Sequence, residues 1–299
     1  MTMKSTLPRW EPGADNGAEL PAAEQAVEIV GLAARLIRLR SCINDLDALD
    51  EFAIALTAEI DAALERGAFC YFYQPIVAAA SGAIEGYEAL IRWQRAGEAV
   101  APALFLPIAE ESGVIRTIQQ RLLDEIAVAG AKLAPANFIS LNWSPRQFLK
   151  ASAVSALIDR VKELSIDPRR IVIEITARST MIDPDLVYFC IQLLKDNGIQ
   201  IALDDFGGHY GSLAYLGRLP IDLVKLDDAL LSEVEHSERA LRILSGVIDL
   251  AHSLGTRVIA KGVETQTQMR ILRRLGCDLL QGHLVGAPAR EPQLVNLDG

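Results

Sequence analysis

The sequence predicts an α/β fold, a TIM-type (β/α)8 barrel with an N-terminal helical extension, and three observations predict it. From Gly67 onward, strand-like apolar runs alternate with longer helical patterns, the mark of βα units around a parallel sheet. Eight such runs fit within the 299 residues, and a barrel of this kind fills about 250 residues. Polar residues end many of the runs, which suits a barrel rim better than the single crevice of a doubly wound open sheet. No glycine-rich phosphate loop follows an early strand.

In chain order, residues 1–22 read as a flexible leader, because Pro8, Pro12, Gly13, Gly17 and Pro21 break any period. Over 24–40, Val27, Val30, Leu36 and Leu39 recur at helical spacing, with Arg35, Arg38 and Arg40 toward the last turn, where a helix dipole prefers cations. This amphipathic helix needs a partner, either its own domain, a dimer mate or another protein, in preference to a membrane surface. Asn and Asp caps then open a helix over 48–66, closed by Gly67. The expected division is a leader and helix over 1–46 and a barrel over 47–299. Strands are expected over 69–77, 84–93, 138–143, 171–176, 199–205, 222–227, 258–263 and 278–281. Helices are expected over 102–112, 117–133, 151–164, 185–197, 238–254 and 266–275.

A formal charge of −10 argues against a nucleic-acid polymer as partner, since such binding draws on clustered Lys and Arg. Any anionic ligand must be held by local positive charge. Cys42, Cys70, Cys190 and Cys277 lack paired spacing, which suits reduced thiols in a cytoplasm better than disulfides or a zinc site. Residues 1–10 lack the apolar stretch of a signal peptide, and no apolar run approaches the ~20 residues a membrane crossing needs.

Barrel sites gather at the C-terminal ends of strands, where this sequence offers Glu88, Arg92, Asn142, Glu174, Asp204, Asp205, Lys225, Lys261 and Gln281. Hard oxygen donors without histidine or cysteine suit Mg²⁺ or Mn²⁺ rather than zinc. Adjacent aspartates in an apolar strand are costly to bury unpaired, and a bridging divalent ion is one reason for Asp204 and Asp205. Singly, each carboxylate reads as a solvated strand end or a salt bridge; in barrel register the set reads as a site.

The runs Tyr73-Gln74-Pro75-Ile76-Val77, Glu88-Ala89-Leu90-Ile91-Arg92-Trp93, Phe105-Leu106-Pro107-Ile108-Ala109-Glu110-Glu111, Asp204-Asp205-Phe206-Gly207, Val224-Lys225-Leu226-Asp227 and Gly262-Val263-Glu264-Thr265 have a clear likeness, as does Leu275-Gly276-Cys277-Asp278 with Gln281-Gly282. The chain over about 47–288 resembles the EAL domain of cyclic di-GMP phosphodiesterases. No GGDEF cyclase motif accompanies it. The resemblance implies a barrel in which two Mg²⁺ or Mn²⁺ ions activate a water that opens the cyclic dinucleotide to linear pGpG. It implies Glu88, Asn142, Glu174 and Asp204 as ligands of one ion, and Asp204 with Asp205 for the other. Lys225 matches the lysine that orients the attacking water, Gln74 and Arg92 match substrate contacts, and Gln281 matches an active-site glutamine.

The pattern breaks at Lys261, which stands in Ala260-Lys261-Gly262-Val263-Glu264 where the family has a glutamate serving the second ion. An ammonium there repels a cation, and a protonated lysine cannot accept the water's proton. One ion rather than two is therefore expected. A loop-anchoring glutamate is replaced by Ala177, and the loop after Asp205 carries Gly208 and His209; a histidine there reads as solvated rather than as a substitute base. His283 and Val285-Gly286-Ala287 replace part of the nucleotide-binding wall.

Three functions follow as expectations. The leading one is a cyclic di-GMP receptor or regulatory adaptor with little or no phosphodiesterase activity, homodimeric and cytoplasmic. The alternatives are an active metal-dependent phosphodiesterase, and a protein-interaction module that binds no nucleotide.

Overall fold

A computed structural model describes residues 46–95, 98–148, 150–176, 183–207 and 217–292. The expected helix over 24–40, Ala177, His209 and Cys42 lie outside the described residues. The chain folds as α1 (Leu46–Glu65), β1 (Phe69–Ala78), β2 (Ile84–Arg95), β3 (Glu98–Val100), α2 (Pro102–Ser112), α3 (Ile115–Lys132), β4 (Phe138–Asn142), α4 (Pro145–Phe148) and α5 (Ala151–Glu163). It continues through β5 (Ile171–Thr176), α6 (Pro184–Asp196), β6 (Gln200–Phe206), β7 (Leu223–Leu226), α7 (Glu238–Ser253), β8 (Arg257–Ala260), α8 (Gln266–Arg274) and β9 (Leu279–Leu280).

Eight strands close in the order β1-β9-β8-β7-β6-β5-β4-β2, with β1 pairing β2 to complete the ring and β3 added outside β2. The barrel is therefore the expected one, with a correction to its sense. β1 runs antiparallel to both β2 and β9, while the other barrel pairings are parallel. The reason is local: only a short turn separates β1 from β2, too short for the helical crossover that a parallel pair needs.

Helix ends follow side-chain chemistry. Ser237 caps α7 through Ala240 N, and Asp183 caps α6 through Leu186 N with Pro184 in the first turn. Thr265 and Gln268 close a reciprocal capping box on α8. Between helices and barrel lies the main apolar core, including a cluster in which Phe69 stacks on Trp93 at 5.6 Å and Phe105 meets Trp93 edge-on at 5.7 Å. Among the described residues, no helix is long and apolar enough to cross a membrane.

Inside the barrel, Ile76, Phe138, Val172, Ala202, Leu223, Ile259 and Leu279 form a separate buried cluster, one residue from each of seven strands. The eighth strand offers Gly86, where a Cβ would fall 2.6 Å from the Phe138 ring. That floor fixes what stands above it. Side chains alternate along a strand, so two residues further on, the same inward face presents the next layer.

Candidate functional site

Two residues beyond the apolar floor, the inward positions are Gln74, Glu88, Ser140, Glu174, Asp204, Lys225, Lys261 and Gln281, one per barrel strand or its immediate extension. A change from wholly apolar to wholly polar within one step of the pleat makes this ring the candidate site. Glu88, Ser140, Glu174, Asp204, Lys225 and Gln281 are all buried. Expectation and structure differ in placement. Glu88 lies within β2 rather than at its end, because β2 continues past the rim to pair with β3. Lys261 and Gln281 stand one residue beyond β8 and β9.

Lys225, with no solvent exposure, donates to Glu88 Oε2 at 2.8 Å and to both oxygens of Glu174 at 2.7 and 2.8 Å. Burial alone would depress its pKa, but the charges of Glu174, Glu88 and Asp204 outweigh it and raise it above the ordinary value. Glu88 shows the converse. Burial works against its ionisation, yet the Lys225 charge and hydrogen bonds from Lys225, Gln281 and Asn142 hold it down at about 2. Burial and the charge of Glu88 push Glu174 above the usual carboxylate range despite Lys225.

Lys261 makes a second cationic bridge, to Asp204 Oδ1 at 2.6 Å and Asp205 Oδ1 at 2.5 Å. Burial lowers its pKa, but Asp204 and the two hydrogen bonds raise it overall, so the side chain is an ammonium. Asp205 has φ of 55°, an uncommon backbone for a residue with a Cβ, and its N–H donates to Asp204 Oδ1 at 2.9 Å.

The remaining expected residues gather around these bridges. Asn142 Nδ2 donates to Glu88 Oε1 at 2.7 Å, and Gln281 Nε2 donates to Glu88 Oε2 at 2.6 Å and to Gln74 Oε1 at 3.1 Å. Gln74 in turn donates to the Gly286 carbonyl at 3.2 Å. Arg92 stands apart from this network, its guanidinium over the Phe72 ring at 5.7 Å and donating to the Ile91 carbonyl. It lines a cavity of about 210 Å³ with Asn142, Trp143 and Thr176. His283 is exposed, while Val285 is fully buried.

Ser140 was missed by sequence reasoning. The signal was present, because Phe138, Ser140 and Asn142 alternate on one face of β4, but a serine carries no charge to flag it.

Whether the ring fits a divalent ion differs between its two halves. Glu88, Asn142, Glu174 and Asp204 are oxygen donors on the adjacent strands β2, β4, β5 and β6. Ser140 Oγ and Gln281 Oε1 are buried beside them without a protein hydrogen bond, leaving acceptors for a hydrated cation. One ion fits this half, if Lys225 yields part of its hold. Among the described residues, no three acidic side chains already converge on one point. A second ion does not fit, because the ammonium of Lys261 sits between the two aspartates that would bind it.

Comparison with known proteins places the family and the fold. Residues 57–288 match the EAL domain family model. The chain is 35% identical over 259 residues to the bifunctional diguanylate cyclase/cyclic di-GMP phosphodiesterase MucR of Pseudomonas aeruginosa, covering 84% of this chain and 38% of MucR. It is 33% identical over 241 residues to the probable cyclic di-GMP phosphodiesterase PdeG of Escherichia coli, covering 79% of this chain and 47% of PdeG. The chain thus spans less than half the length of these curated relatives. Among solved structures, the PaMucR phosphodiesterase in its c-di-GMP complex superposes with a TM-score of 0.73 at 34% identity, over 79% of this chain and 97% of that one. The chain belongs to the EAL-domain family.

Proposed function

We propose that this chain is a cyclic di-GMP receptor or regulatory adaptor that hydrolyses its ligand slowly or not at all. The observation that carries the proposal is the ammonium of Lys261, 2.6 Å from Asp204 and 2.5 Å from Asp205. A positive charge there replaces a metal's charge without replacing its chemistry, since a lysine held protonated by two carboxylates takes no proton from water. A single divalent ion, Mg²⁺ or Mn²⁺, when bound at Glu88, Asn142, Glu174 and Asp204, would supply Lewis acidity and screen phosphate charge.

The chain's own residues do the rest. Arg92 supplies a charge-assisted contact to a phosphate, and Lys225 and Lys261 lend positive potential to a pocket on an acidic protein. Gln74 and Gln281, already paired, present amides to the nucleotide. Support for the ligand comes from the similarity to a domain solved with c-di-GMP. A homodimer, a cytoplasmic location and a partner engaged through residues 24–40 belong to the same proposal.

An active phosphodiesterase is the second reading, favoured by the presence of Lys225 between Glu88 and Glu174 and by relatives named as phosphodiesterases. Calorimetry of cyclic di-GMP with Ca²⁺ and without metal, followed by product analysis with Mg²⁺ and Mn²⁺, separates the two. Binding without conversion supports the receptor; steady formation of pGpG supports the enzyme; neither supports a protein-interaction module.

A further inference from the structure

We propose that Gln119 and Gln147 form a buried amide relay that positions Asn142, giving the candidate ion site a support outside the ring. The inference deepens the reading of Asn142 as an ion ligand and rests on it for the metal arm of its test.

Asn142 ends β4, and its side chain faces Glu88, to which Nδ2 donates at 2.7 Å. That bond leaves Oδ1 as the side chain's acceptor for a cation. Its aim depends on how the backbone leaves the strand. Gln119, reaching in from α3, donates Nε2 to the Asn142 carbonyl at 2.8 Å. Gln119 Oε1 accepts from Gln147 Nε2, and Gln147 Oε1 accepts from Ser144 N at 2.8 Å. The chain of three bonds thus pins the backbone at Asn142 and again two residues later. Trp143 N, between them, donates to the Glu174 carbonyl at 3.0 Å, tying the same turn to the next ligand's strand.

Both glutamines are at least nine-tenths buried, with 6% and 5% exposure. The buried face of α3 is otherwise apolar, formed by Ile115, Ile118, Leu122, Leu123, Ile126 and Ala129. A leucine at 119 would satisfy that face, whereas an amide there is unfavourable unless fully hydrogen-bonded. Neither amide can turn over, since rotation would set N–H against N–H and oxygen against oxygen. A satisfied polar pair of this kind rigidifies what it touches. What it touches is the backbone of a candidate ligand, and outer-shell partners that orient ligands shift metal affinity ~10–100-fold when removed.

The test follows the side-chain NH₂ of Asn142 by ¹⁵N NMR in the whole metal-free chain, alongside Mn²⁺ titration by electron paramagnetic resonance. Gln119→Glu keeps the size but opposes a carboxylate to the Asn142 carbonyl; Gln147→Glu breaks the other bond; Gln119→Met removes the polar group. Each variant that folds is expected to speed solvent exchange of the Asn142 NH₂ and weaken Mn²⁺ at least ~10-fold. Leu122→Ala, a cavity on the same helix, should lower the melting temperature while leaving that exchange as in wild type. Unchanged exchange in the folded glutamine variants, or equal loosening in Leu122→Ala, overturns the relay. If wild type takes up no Mn²⁺, the ion-site reading fails, and the exchange measurement still decides the relay.

Discussion

Lys261 Nζ stands 2.6 Å from Asp204 Oδ1, so the carboxylate that two ions would share is already neutralised by a charge belonging to the chain. A unit charge and a divalent ion 4 Å apart repel by about 8 kcal/mol at an effective dielectric of 20, twice the figure for two unit charges and enough to suppress a second divalent ion at ordinary concentrations. The expected stoichiometry is one Mn²⁺ per chain, rising to two in Lys261→Glu with a spin-coupled signal. Wild-type turnover of cyclic di-GMP is expected at least ~100-fold below that of relatives with an intact glutamate, and Lys261→Glu should regain part of it. Two Mn²⁺ ions in the wild type, counted by resonance or anomalous scattering, would sink the idea.

The other lysine has a structural task. Lys225→Met leaves Glu88 and Glu174 buried without their cation, which is expected to destabilise the fold by about 3–5 kcal/mol in urea unfolding at neutral pH. Mn²⁺ should return part of that loss in the variant, since a bound ion restores the missing charge. If Lys225→Met unfolds at the wild-type urea midpoint, the bridge is not holding the site together.

The pH dependence has a definite sign. Glu88 is held at about 2 against an ordinary 4.5, so its contribution is complete above pH 4.5 and disappears as pH falls toward 2. Lys225 is raised above its ordinary 10.5, so its contribution is complete below that pH and is lost only as alkalinity exceeds its folded value. Between these limits the pair contributes steadily. Glu88→Gln should therefore flatten the loss of stability between pH 4.5 and 2, as read from urea midpoints across pH. A wild-type slope in Glu88→Gln over the acid range would contradict the assignment.

The barrel was legible because its strands are apolar on both faces and its helices on one, and the acidic members of the candidate ring stood out because acidic residues in such strands are conspicuous. Lys261 could be read for the same reason. The antiparallel β1 was not, since its alternation of Tyr71, Tyr73 and Gln74 says which faces are buried and nothing about direction. Ser140 escaped because it carries no charge, and Gln119 and Gln147 because their meaning comes from neighbours distant in sequence: Gln119 reaches a carbonyl 23 positions away.

Gly282 sets the position of Gln281. A Cβ at residue 282 would lie 2.3 Å from both N and O of Val263, which are backbone atoms that cannot turn aside. The same loops are tied by Val263 N donating to the Gln281 carbonyl at 3.0 Å and Gln281 N donating to Ala260 at 2.9 Å. Gly282→Ala should cost at least about 2 kcal/mol in urea unfolding and displace the Gln281 amide from Glu88. Retained stability together with retained nucleotide binding would show that the loops have more room than this geometry allows.

Arg92 lines the cavity beside Asn142, whereas Lys225 and Lys261 are engaged in carboxylate bridges. A phosphate entering there meets the Arg92 guanidinium, and a charge-assisted contact to it is worth more than an exposed ion pair because the surroundings are partly desolvated. Cyclic di-GMP is therefore expected to bind at micromolar affinity or weaker, with little change on adding Ca²⁺, because Lys261 stands in permanently for part of the metal's charge. Arg92→Ala should reduce binding below detection by calorimetry, while Lys261→Glu should make it strongly metal-dependent. Unaltered affinity in Arg92→Ala would move the phosphate elsewhere, and metal-independent binding in Lys261→Glu would remove the role assigned to the ammonium.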